Sequence, residues 1–215
     1  MNDGIDILYE DSWIMILNKP SGLLTVPGIG EDKQDCLASR AQADDPNATI
    51  VHRLDRDTSG VIILALDRMA TRELARQFRC REVGKTYEAL VYGHPIDDSG
   101  TIHLPMRKDS VRAPRHRIDM HQGKPSITHW RVIRRFDRYT HLILTPETGR
   151  SHQLRLHLQA IGHPIIGDPL YAFPTALRAG ERLMLHATSI TISHPVTGES
   201  VTVSSPPPFG NQRNL

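Results

Sequence analysis

The chain has 215 residues, 39% hydrophobic and 23% charged, which suits one compact domain with a buried core and excludes a disordered chain. No apolar run approaches a membrane span, and the start, MNDGIDILYEDS, lacks the basic residues and apolar stretch of a signal peptide, so a cytoplasmic protein without membrane contact is expected. Net charge is only +2, yet Arg107 to Arg138 holds ten Lys and Arg against Asp109, Asp119 and Asp137, an asymmetry that signals either a nucleic-acid partner or a merely solvated basic face.

Apolar runs of strand length open the chain at Ile5 to Leu8 and Trp13 to Leu17. The Gly- and Pro-dense stretch NKPSGLLTVPGIGEDKQD follows and reads as a functional or mobile loop. Asp35 to Ala43 has a helical pattern, with Asp35 placed to cap its first turn. A strand at Val61 to Leu66 leads into the helix RMATRELARQFRC, capped by Asp67 and presenting Met69, Leu74 and Phe78 on one face. Further strands are expected at Tyr87 to Tyr92, Ile127 to Ile133 and His141 to Thr145. Between the first two of these, PMRKDSVRAPRHRIDMHQGKP reads as a second irregular loop.

The third helix, SHQLRLHLQAIG, is expected to be capped by Ser151, to line Leu154, Leu158 and Ile161 along one face and to end at Gly162. Leu183 to Ile192 and Ser200 to Val203 supply the last strands, and 205–215 form a loosely held tail. Strands outnumber helices. The expected fold class is therefore α+β, a mixed and largely antiparallel sheet with helices packed on it, in a single domain spanning 1–215.

Cys36 and Cys80 are far apart and outside any metal-ligating spacing, and are read as free thiols. His152 and His157 lack the HExxH pattern, so no metal site is read there, and no glycine-rich phosphate loop or serine elbow is visible. The densest polar constellation is VHRLDRDTSG, residues 51–60, with two Asp and two Arg at the mouth of a buried strand. It reads either as a reactive carboxylate site or as a plain turn in which Asp57, Thr58 and Ser59 bond to backbone. In TPETGRSHQLRLHL, Arg150 precedes a helix N-terminus, where a carboxylate or phosphate could be held.

Six stretches, ILNKPSGLLTVPG, HRLDRDTSG, KTYEALVYGHP, TGRSHQLRLHL, GHPIIGDPLYA and RLMLHATSITISHP, occur in the order and spacing of one family. From about Ile7 to Ser204 the chain resembles the RluA-type RNA pseudouridine synthases, and it is similar to the short type that acts on both a tRNA anticodon stem-loop and a large-subunit rRNA stem-loop. The S4-type N-terminal domain of many relatives is absent from the match. The resemblance implies a uridine-to-pseudouridine isomerase; that reaction requires no metal or other cofactor, and a monomer is expected. Asp55 would be its essential carboxylate, as nucleophile or as general base.

By the same resemblance Arg150 pairs with that carboxylate, Tyr87 stacks on the target uracil and is a candidate for proton transfer, and Leu154 lines the other side of the base. Arg53 would fill the space left by the flipped nucleotide. The basic loop, with Arg112, Arg115 and Arg117, would close on RNA phosphates. The alternatives are an RNA-binding protein of this fold without activity and a glycosidic-bond hydrolase. The latter needs a second facing carboxylate, for which Asp57 lies too near in sequence.

Overall fold

The computed structural model describes residues 5–30 and 33–210. In chain order, β1 (Asp6–Glu10), β2 (Ile14–Lys19), α1 (Leu37–Asp44), β3 (Thr49–Ile50), β4 (Ser59–Ala65) and α2 (Arg68–Cys80) come first. Then follow β5 (Gly84–Tyr92), β6 (Ser99–His103), β7 (Met106–Lys108), β8 (His116–Ile118), β9 (Ile127–Arg135), β10 (Tyr139–Pro146), α3 (Gln153–Ala160) and α4 (Pro174–Arg178). Last are β11 (Leu185–Ser193) and β12 (Ser200–Ser204). By its contacts the chain divides into two compact units, Met1–Lys85 with His186–Pro207, and Thr86–Leu185 with Pro208–Leu215.

In the first unit the strand order is β1-β2-β4-β11-β12, with β3 also on β4. Every pair is antiparallel except β4 with β11. All seven residues of β4 are buried, so its sequence is a continuous apolar run instead of an alternating one. Ile14, Ile16, Val61, Ile63, Ile190 and Ile192 form the core that α2 covers with Ala70 and Leu74. Asp67 caps α2 as the sequence predicts, its Oδ1 accepting from the Ala70 N–H at 2.6 Å. Met69, however, is 54% exposed. It sits five residues before Leu74, roughly 140° away around a helix, whereas Ala70 is about one turn away and takes the buried position.

Helix α1 starts at Leu37, and its cap is Cys36 in place of the expected Asp35. The buried Cys36 Sγ accepts from the Ser39 N–H at 3.4 Å while Ser39 Oγ accepts from the Cys36 N–H at 3.1 Å. Asp35 instead bonds Arg40 at the surface.

The second unit carries the strand order β5-β10-β9-β6, antiparallel throughout. Its core gathers Leu90, Leu142, Leu144, Leu158, Ile165 and Ile166. The sequence pattern missed β6 because only Ile102 of its five residues is buried. Gly100 lets Trp130 lie against that strand, since a Cβ there would come 2.9 Å from the indole ring. The Arg- and Pro-rich stretch expected to be irregular contains an antiparallel hairpin, β7 on β8, in register from Met106 with Ile118 to Lys108 with His116. The expected loose tail also needs correction as far as Gly210: Phe209 is 5% exposed, belongs to the second unit's core and meets the His141 ring edge-on at 6.2 Å. Residues 211–215 lie outside the described residues.

The α+β class with a mixed, mostly antiparallel sheet agrees with the sequence reading. Among the described residues no helix is long and apolar enough to cross a membrane.

Candidate active site

Residues 51–58 link β3 to β4 in the first unit. Leu54 is buried, Arg53 is exposed and Asp55 is half-buried. The loop NKPSGLLT wraps this segment. Thr25 Oγ1 donates to the Leu54 carbonyl at 2.8 Å and accepts from the Leu54 N–H at 3.3 Å. Lys19 has no exposed surface, and its ammonium donates to the carbonyls of Pro20, Leu23 and Arg56 at 2.8, 2.7 and 2.9 Å. A buried charge with three oxygen partners replaces its lost hydration and fixes the backbone beside Asp55. The Gly22 N–H also reaches the Arg56 carbonyl and Ser21 Oγ reaches that of Asp57, while the Thr58 N–H closes a turn on the Asp55 carbonyl at 3.1 Å.

The far end of the motif is equally fixed. Ser59 Oγ lies 2.8 Å from His186 Nδ1, and the other ring nitrogen lies 3.2 Å from the Ser205 carbonyl. Gly60 has φ +110°, and a Cβ there would come 2.2 Å from the Ala187 carbonyl oxygen, so only glycine lets β4 and β11 pair. The turn expected in VHRLDRDTSG is present, closed by the Thr58 N–H on the Asp55 carbonyl, with Arg53 exposed and Asp55 half-buried beside it. The Arg56–Asp57 pair, with Arg56 61% exposed, is a surface contact of little energetic weight.

His52 anchors the start of this loop. Its Nε2 accepts from the Ile63 N–H at 3.1 Å and its ring stacks on Phe78 at 4.5 Å. Burial, helped by the nearby Lys85 charge, lowers the imidazole pKa to about 3 from its usual 6.5. The unfolded chain therefore binds a proton below about pH 6.5 that the folded chain refuses until about pH 3, so this group's contribution to stability falls as pH drops through that window. His157 and His141 are lowered by burial too and act in the same sense. Urea unfolding of wild type and His52→Gln between pH 7 and 4 should isolate the His52 share, the variant losing stability less steeply by up to about 1.4 kcal/mol per pH unit. Parallel curves would show that His52 is not the proton-refusing group.

In the second unit, Tyr87 stands on β5 opposite Leu144 of β10 and packs, half-buried, against the core cluster to which Leu154 belongs. Leu154 is 8% exposed. Arg150 is exposed in the turn just before α3. Ser151 does not cap that helix. The preceding position is taken by His152 at φ 60°, a left-handed conformation uncommon outside glycine, with no side-chain cap bond. Gln153, the first residue of α3, instead bonds backward to the segment before the helix and across to the neighbouring strand. Its buried amide oxygen accepts from Thr148 Oγ1 and the Arg150 N–H at 2.8 and 3.1 Å, and its Nε2 donates to the Ile127 carbonyl and Thr128 Oγ1. That amide ties the Arg150 turn to β9.

Three residues given no role in the sequence reading form a buried support in the second unit. Arg155, 2% exposed, forms a two-pronged ion pair with fully buried Asp168 at 2.8 and 2.7 Å. Asp168 Oδ1 also accepts from the N–H groups of Leu170 and Tyr171. Tyr171 Oη then accepts from the His116 N–H at 2.8 Å and meets His152 Nδ1 at 2.9 Å. This chain of contacts runs from α3 to the base of the basic hairpin. Asp168 and Tyr171 were visible only as letters in the GDPLYA stretch, because partners 13 residues apart leave no periodic signal.

On the hairpin, Arg107 and Arg117 pair with Asp119, at 2.7 and 3.3 Å. Asp119 is held below the usual carboxylate range, first by the Gln122 N–H and also by these arginines. Arg112 and Arg115 have no ion-pair partner among the described residues. The same residues contain no cluster of three or more His, Cys, Asp or Glu arranged for a metal ion.

A strand-rich α+β fold with a carboxylate held in a wrapped turn of the first unit and a basic hairpin in the second suits an enzyme that acts on RNA. Residues 13–160 match the family of RNA pseudouridylate synthases. The dual-specificity RNA pseudouridine synthase RluA of Escherichia coli K12 is 48% identical over 204 residues, 94% of this chain and 93% of the relative. Its counterpart in Haemophilus influenzae is 47% identical over 206 residues, 95% and 94% of the two chains. Among solved structures, human RNA pseudouridylate synthase domain containing 1 superposes with a TM-score of 0.82 at 31% identity, over 97% of this chain and 86% of the other. The chain belongs to the RNA pseudouridine synthases of the RluA family, isomerases that convert uridine in RNA to pseudouridine.

Proposed function

We propose that residues 1–215 act as one monomeric cytoplasmic catalytic domain that isomerises uridine in a tRNA anticodon stem-loop and in a large-subunit rRNA stem-loop. The observation that supports this reading best is the near-full-length likeness, at 48% identity, to an enzyme described as dual-specificity. Asp55 attacks or removes a proton at the target nucleotide, Arg150 pairs with it, and Tyr87 and Leu154 enclose the uracil. Arg53 fills the vacated stack, and Arg112, Arg115 and Arg117 take phosphates. The reaction breaks the N1–C1′ bond, turns the base and rejoins it through C5 with loss of the C5 proton, so it is redox-neutral and needs no cofactor.

Tritium release from each stem-loop labelled at uracil C5, with the strand left intact, tests the reading. Release from both RNAs is expected, release from one alone would remove the dual specificity, and release from neither would leave only an RNA-binding protein of this fold. Arg150→Met should lower the single-turnover rate at least about 30-fold while changing RNA affinity less than about 3-fold, because the carboxylate loses the cation proposed to pair with it and hold it in line. Equal losses in rate and affinity would make Arg150 a phosphate contact.

Arg112→Gln with Arg115→Gln should flatten log Kd against log salt by about 0.7 per lost contact on single-stranded RNA. Arg117→Gln should do less, since Asp119 already neutralises part of its charge. An unchanged slope in the double variant would mean that the hairpin faces away from RNA.

A further inference from the structure

Behind the basic hairpin lies a hollow of ≈ 590 Å³ whose walls include Arg112, Arg115, Leu156, Gln159, Tyr171 and Phe173. That volume is within the range of small-molecule and nucleotide sites. Leu156 and Gln159 are two and five residues beyond Leu154 on α3, so both point more than about 130° around the helix from it. The hollow is thus on the face of α3 turned away from the residue proposed to line the target uracil. Its surface combines the two hairpin arginines that have no ion-pair partner among the described residues with an aromatic ring, Phe173, left 43% exposed. A partly exposed phenyl in the same hollow as two guanidinium groups suits stacking of an unpaired base whose phosphate the arginines hold. Asp109 also lines the hollow, but its Oδ1 is occupied by the Val111 and Arg112 N–H groups at 3.0 and 3.2 Å.

We infer that this hollow is a second nucleotide subsite, which takes one unstacked nucleotide of the substrate RNA other than the target uridine. The base lies against Phe173 and Leu156, the exposed Gln159 amide meets its edge, and Arg112 and Arg115 meet its phosphate. The inference rests on the proposed function, because it requires an RNA stem-loop already distorted by base flipping. Tyr171 couples the subsite to catalysis: its hydroxyl fixes His116 at the hairpin base and His152 at the start of α3. A nucleotide seated here would brace the hairpin through Arg112 and Arg115 and would make the identity of a non-target nucleotide matter for rate.

The test uses the full chain and stem-loop RNAs in which each nucleotide near the target is made abasic in turn, with dissociation constants measured by filter binding. In wild type, one abasic position other than the target should weaken binding about 10-fold, the size of one base-on-aromatic stack. Phe173→Ala should weaken intact RNA by a similar factor and should erase the penalty at that one position. Gln159→Ala, a change at an exposed site, should reduce the same penalty in part. In addition, 5-iodouridine at that position should photo-cross-link to Tyr171 or Phe173.

Abasic penalties identical in wild type and both variants, or a cross-link mapped elsewhere, would overturn the subsite. Equal protection of the cross-link by millimolar uridine monophosphate or inorganic phosphate would also overturn it, by showing a general anion site. Tritium release by wild type on intact RNA is scored separately. Its absence would defeat the synthase reading, whereas the binding and cross-link arms decide the subsite by themselves.

Discussion

Asp55→Asn should abolish tritium release, lowering single-turnover rate at least about 10³-fold, while RNA affinity stays within about 3-fold of wild type. The amide keeps the shape of the carboxylate but can neither attack a carbon nor take a proton. The backbone around it should not move, because its anchors are elsewhere. Lys19 and Thr25 hold the carbonyls of Arg56 and Leu54, His52 holds the Ile63 N–H, and none of these bonds involves the Asp55 side chain. Thermal unfolding and filter binding of the variant provide the controls. A variant that kept near-normal turnover would show that another group does the chemistry, and one that failed to fold would show that the turn depends on the carboxylate after all.

The sequence revealed these parts of the molecule unequally, for reasons that differ from place to place. Strands such as β4 were plain because burial on both faces forces an unbroken apolar run. The hairpin β7 on β8 was hidden because its residues are mostly polar and its pairing depends on a few backbone bonds and on Tyr171. Caps were misread for two different reasons. Helix α3 has no side-chain cap at all, and at α1 Asp35 pairs with Arg40 while Cys36, an unusual capping residue, takes the cap position.

The site was legible in another way. Asp55, Arg53, Tyr87, Arg150 and Leu154 were named from their likeness to family motifs, since one Asp in a turn carries no chemical signature of its own. What likeness could not supply was the support: the buried Lys19 ammonium and the Arg155–Asp168 pair are ordinary letters until the fold places them.

The largest loss of stability should come from Asp168. With Arg155 at 2% exposed and Asp168 fully buried, removing the acid strands a guanidinium away from water. Asp168→Ala should cost about 3–5 kcal/mol, a fall of roughly 6–20 °C in Tm for a chain of this size. The double variant Arg155→Met with Asp168→Leu removes both charges and keeps apolar volume, so by the ion-pair argument alone it should recover most of that loss. Recovery should be incomplete, however, because Asp168 Oδ1 also receives the Leu170 and Tyr171 N–H groups at 2.8 and 3.1 Å, and leucine leaves both unbonded.

The residual deficit therefore measures the turn, and it should come with a functional mark that simple destabilisation lacks. Tyr171 is placed by that turn and its hydroxyl holds His116 at the foot of the hairpin, so the double variant should show a raised KM for RNA even at temperatures where it is fully folded. Urea unfolding gives the first quantity and steady-state tritium release the second. Full recovery of stability together with a normal KM would show that Asp168 serves only to neutralise Arg155, and that the hairpin is positioned by something other than this buried pair.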